Sequence, residues 1–175
     1  MPRGSLVLSS ATLVAGAVAV VAAIAVAMSA GAVAASAVVS AQPRHPIYLI
    51  YDGFVRNHDA SLTLAFGYHN VNRVDVTVEG EDNAFRSGAA DRGQPTVFLP
   101  GRQRFACVMV VPEAFDGRLQ WQIRFAGHES VTTARMLDPL YALEETSARE
   151  AVEGIELDGA PRGVCLERSV TKERR

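Results

Sequence analysis

The side chains best suited to chemistry in this chain are two cysteines, four histidines and a scatter of serines and carboxylates. Cys107 and Cys165 admit a single disulfide, which an oxidising compartment would allow. Cys107 also alternates with Phe105 and Met109, the setting of a small buried hydrophobe, so both readings stand. The step from Cys107 to Trp121 imitates the first half of the Cys, Trp, Cys pattern of antibody domains. The imitation fails, because several strand-like runs precede Cys107 and Gly163 stands where a tyrosine should come two residues before Cys165. Trp121 then reads as core.

His45, His58, His69 and His128 show neither H-x-H nor H-E-x-x-H spacing, so no two imidazoles are aimed at one metal. Glu81, Asp82, Asn83 and Asp91 offer hard oxygen ligands in adjoining loops, but the D-x-D-x-D-G calcium loop is missing and a solvated acidic turn explains them. Ser61, Ser87, Ser130, His69 and Asp75 are parts of a hydrolytic site without the G-x-S-x-G motif that would assemble them. Gly88 and Gly93 open no helix that would cradle a phosphate. The expectation is therefore no catalytic residue, no metal and no cofactor. Sugar binding needs exposed rings, and alternation leaves Tyr51, Phe54, Phe98 and Tyr141 for that purpose. Tyr51, Phe54 and Phe98 form the candidate ligand face, with the loop Ala84–Gly93 beside them.

Two kinds of segment must position these residues. Among the 175 residues, no charge falls between Arg3 and Arg44, and the stretch from Leu6 to Ala41 is almost wholly Ala, Val, Gly, Ser and Leu. It exceeds the roughly 20 apolar residues a helix needs to cross a bilayer. Val39-Ser40-Ala41 before Gln42-Pro43 has the small residues of a signal-peptidase site, with cleavage between Ala41 and Gln42; Ala35-Ser36-Ala37 is a second such site. The length of the apolar run and its single positive flank suit an uncleaved anchor instead. Residues 1–41 are thus a signal peptide or a signal anchor, and Arg3 on the cytoplasmic side puts the rest outside. The remainder is slightly acidic, which does not suit a nucleic-acid partner.

Beyond Pro46 the apolar residues recur every second position, between turn-forming clusters. The pattern predicts strands at Ile47–Arg56, Ser61–Asn70, Arg73–Glu79, Gln94–Leu99, Arg102–Val111, Arg118–Phe125 and Ser130–Met136. Arg102–Val111 is the most apolar, covered on both faces and central; Ala84–Gly93 reads as an exposed loop. The fold expected over residues 46–143 is mainly β, a seven-stranded immunoglobulin- or fibronectin-like sandwich preceded by the N-terminal apolar helix, with a small barrel as the alternative. Residues 144–175 read as a polar tail, with a short helix over Ala148–Glu153 capped by the Ser147 and Glu150 box.

Asp52-Gly53-Phe54, Asn57-His58-Asp59, Leu64 to Asn72, Asp91 to Thr96, Phe98 to Arg102 and Arg104-Phe105 together resemble a group of exported bacterial proteins with a lone β-sandwich-like domain. The resemblance runs from about Tyr48 to Leu143 and implies export and a β domain, with no activity, ligand or catalytic residue. The leading expectation is an exported or membrane-anchored, non-enzymatic domain that meets an unidentified envelope protein through a sheet edge or loops, in the periplasm, secreted or at the inner membrane. An uncleaved N-terminal helix would make the membrane itself a partner. A carbohydrate-binding module and a small hydrolase with a loop-built site are the alternatives.

Overall fold

The computed structural model describes residues 42–168. The predicted N-terminal helix, the signal or anchor over residues 1–41 and the Ala41 side of the cleavage point lie outside the described residues. Among the described residues no helix is long and apolar enough to cross a membrane.

The chain is mainly β, with three antiparallel sheets. β1 (Ile47–Arg56), β2 (Leu62–Asn70) and β6 (Gly101–Val111) form the first, in the order β1-β2-β6. β4 (Asn83–Arg86), β7 (Gln120–Phe125) and β8 (His128–Val131) form the second. β3 (Val76–Thr77) and β5 (Val97–Phe98) make a short ribbon.

Alternation decides the inner face of β2. Leu62, Leu64, Phe66 and Tyr68 are buried and pack with Ile47, Leu49, Tyr51 and Phe54 of β1 and Cys107, Met109 and Val111 of β6. Phe66 meets the opposite sheet directly, its ring 5.6 Å from Phe85 of β4 and 6.4 Å from Trp121 of β7. Phe85 stacks on Trp121 at 5.7 Å, and Phe98 stands 6.1 Å from the indole. The indole nitrogen donates to Asn83 Oδ1, and the Asn83 amide donates to the Val78 and Pro95 carbonyls, so this buried polar group is fully answered.

Several sequence expectations need correction. The central strand of the first sheet is β2, not Arg102–Val111. The expected loop Ala84–Gly93 contains most of β4; four residues with one large apolar side chain are too few to display a period. Arg73–Glu79 shrinks to β3, and Val74, expected inward, is exposed. Ser130–Met136 is replaced by β8, which starts earlier because Ala126 and Gly127 turn the chain with φ of 51° and 77°, the pattern of a type I′ hairpin.

The largest correction concerns the end of the chain, because residues 144–168 are no free polar tail. Helix α1 (Glu145–Val152) buries Ala151 against Ala65, Phe105 and Val108, with Leu143 and Ile155 beside them, and so covers the outer face of the first sheet. It starts earlier than the Ala148–Glu153 expected, with no side-chain cap; Ser147 and Glu150 lie within it and face Arg104 instead. Arg168 donates to the carbonyls of Glu150, Ala151 and Glu153, closing the helix's C-terminal end. Farther on, Gly163 N–H donates to Val110 and Leu166 N–H to Val108, each at 2.7 Å, so the segment pairs with the outer edge of β6. The Cys107–Cys165 disulfide fastens it there.

Candidate functional site

The proposed ligand face does not exist as a surface. Tyr51, Phe54 and Phe98 are all buried, and Tyr51 and Phe98 are links in the aromatic core. Tyr51 lies 5.2 Å from Phe66 and 5.3 Å from Tyr141, while Phe98 packs edge-on to Tyr68 at 4.8 Å. The irregular spacing around Gly53 misled the alternation: β1 carries a bulge between Tyr51 and Gly53, so residues on either side of it change parity yet share a face. Burial drives the Tyr51 hydroxyl far above its ordinary pKa, with Tyr141 adding to it, and its oxygen has no hydrogen-bond partner among the described residues.

The residues weighed for hydrolysis are not assembled either. Ser61 Oγ donates to Asp59 and accepts from the Asn57 amide at 2.8 Å, and this contact with Ser61, more than Arg162, holds the Asp59 carboxyl below its ordinary range. Ser130 Oγ is occupied by the Leu49 N–H at 2.8 Å, and Ser87 and His69 are exposed. Asn83, weighed for calcium, spends its side chain in the core, and among the described residues no three His, Cys, Asp or Glu lie close enough to hold a metal ion.

Sequence reasoning missed one charged centre. Asp52 sits in the β1 bulge with a side chain 4% exposed, paired with Arg102 and accepting the Phe105 N–H at 2.9 Å. Phe105 adopts φ 55° at the matching irregularity of β6, a conformation that costs a bulky residue energy and persists because its surroundings fix it. Gly67 between them has no space for a Cβ, which would strike the Asp52 carboxylate, the Arg102 guanidinium and the Gln103 carbonyl. Burial raises the Asp52 pKa, opposed by the Phe105 N–H and then by Arg102 and Arg104. Both carboxylate oxygens are engaged, by Arg102 and by the Phe105 N–H, so this centre ties β1 to β6 across Gly67 of β2. The bulge itself was the missed signal, since Asp52 falls where the apolar alternation of β1 stumbles.

Several concavities open among the described residues. A groove of about 540 Å³ runs beside β5, where Val97 and Leu99 stand 47% and 48% exposed next to Phe105, Ala106 and Leu166. Arg104 and Arg168 lie along it. A second hollow, of about 530 Å³, opens where the loops around Ser87 and Phe115 meet the C-terminal segment at Arg162 and Gly163.

No family model matches the chain, and no curated protein or solved structure compared with it is similar.

Proposed function

We propose that the chain is an exported or membrane-anchored, non-enzymatic β-sandwich domain that makes protein contacts in the cell envelope. The observation that carries this reading is the pair Val97 and Leu99, two large aliphatic side chains left about half exposed at a groove that Phe105, Ala106 and Leu166 share with Arg104 and Arg168. The burial of Tyr51, Phe54 and Phe98 removes the rings on which a sugar-binding reading relied. Export is supported by the long uncharged N-terminal run and by the disulfide, a bond that oxidising compartments preserve.

Of the sheet edges and loops expected to make the contact, those of the first sheet are partly taken. The β6 edge is occupied by residues 162–166, and β1 is met at Phe54 by Ala142 and Leu143, so strand addition to the first sheet is blocked at those positions. The β5 groove takes its place. Crosslinking in intact envelopes should recover a specific partner with the native chain and lose it with Val97→Asp plus Leu99→Asp, while circular dichroism stays unchanged. Equal recovery by both chains would remove the groove from consideration.

A further inference from the structure

We propose that the hollow bounded by Arg92, Arg118 and Arg162 is a binding site for a phosphate group, either free or at the head of an acylated molecule. Three guanidiniums line it, against the single carboxylate of Asp116. Asp116 reaches Arg118 at 3.3 Å, with both side chains largely in solvent, and Arg162 is held 3.1 Å from Asp59. Neither pair exhausts the five N–H donors of an arginine.

Arg92 is the decisive member. It is half-buried and forms no salt bridge with any carboxylate among the described residues. Its guanidinium lies 5.8 Å from the Phe85 ring and donates to two main-chain carbonyls, Gly163 at 2.7 Å and Ser87 at 3.0 Å. Its Nε is enclosed, with no acceptor among the described residues. A partly desolvated cation is costly unless a negative group sits nearby. The planar donor forks of arginine match the oxygens of a phosphate, and several of them can share one tetrahedral anion.

The Gly163 and Ser87 carbonyls hold this guanidinium between the loop and the fastened C-terminal segment, and the Cys165 N–H fixes the Arg92 main chain, so this member of the site is preformed. Val111, Pro112, Phe115 and Leu119 supply an apolar wall beside the charges. An acyl chain would lie there.

Isothermal titration of the full chain in a non-ionic detergent, with inorganic phosphate and with dihexanoyl phosphatidic acid, tests the assignment. Dihexanoyl phosphatidylcholine serves as the control whose phosphate is shielded by a cation. Saturable binding of either phosphate probe, weakened about tenfold or more by Arg118→Gln and by Arg92→Lys, is the expected result. A clear preference for the phosphatidic acid identifies the acylated source, and equal affinity identifies the free one. Arg118 is exposed and its replacement leaves the fold alone, so a folding defect in the Arg92 variant does not blunt the test. Absence of saturable binding by both phosphate probes, or binding indifferent to Arg118→Gln, overturns the proposal, as does equal binding of the phosphatidylcholine.

Discussion

At the scale of single residues, two buried polar groups make opposite predictions. The Tyr51 hydroxyl is enclosed without a partner among the described residues, so its burial is not offset by a protein hydrogen bond there. Tyr51→Phe keeps the ring contacts with Phe66 and Tyr141 and should leave stability unchanged or raise it by up to about 1 kcal/mol in urea unfolding. A clear loss would show that the hydroxyl is satisfied in solution. Asp52, by contrast, answers both Arg102 and the Phe105 N–H, and Asp52→Ala should cost about 2–4 kcal/mol by stranding them. Because burial raises its pKa, ionising this acid is harder in the folded chain than in the unfolded one. Its contribution to stability is therefore complete below the ordinary carboxylate range and is lost as pH rises through the folded value. Asp59 and Glu129, whose pKa values are lowered, act in the other direction, supporting the fold above the ordinary range and losing that support as pH falls. Asp52→Asn should therefore gain on the native chain as pH is raised from about 3 to 8 in parallel unfolding series. If the variant instead falls behind with rising pH, the attraction of Arg102 outweighs desolvation.

At the scale of elements, the bulges of β1 and β6 explain both what the sequence displays and what it hides. Strands whose alternation is unbroken, such as β2, can be read directly: Leu62, Leu64, Phe66 and Tyr68 face the core as their spacing requires. Where an extra residue shifts parity, as at Asp52, the same rule puts core rings on the surface, which is how Phe54 came to look like a ligand contact. β4 was too short to show a period, and although a helix was expected over Ala148–Glu153, its docking on the sheet was obscured because the buried contact of α1 rests on one small residue, Ala151. Of the two hollows, neither is legible in the chain, since Arg92, Arg118 and Arg162 are brought together by tertiary packing alone. The bulge geometry makes its own prediction. Gly67→Ala pushes a methyl group into the Gln103 carbonyl, a main-chain atom that cannot swing aside, and should cost about 3 kcal/mol. A thermal melt within a degree or two of the native chain would mean that the β2–β6 irregularity relaxes freely.

At the scale of the whole molecule, stability depends on a closure between distant parts of the chain. The disulfide spans 58 residues, and in the chain-entropy picture a loop of that length restricts the unfolded chain by about 4 kcal/mol. Replacing both cysteines by alanine should lower the unfolding free energy by about that amount, and reduction of the native chain should reproduce the loss. A double variant as stable as the native chain would assign the closure to the Val108 and Val110 hydrogen bonds alone. Those hydrogen bonds also impose an order of events. A polypeptide delivered from its amino end presents the outer rim of β6 before Arg162 and Leu166 have emerged to occupy it. During that interval, or permanently in a chain clipped ahead of Arg162, the vacant main-chain groups are a template on which a sister molecule can add its own strand. Premature termination would then yield oligomers rather than a shortened but harmless monomer.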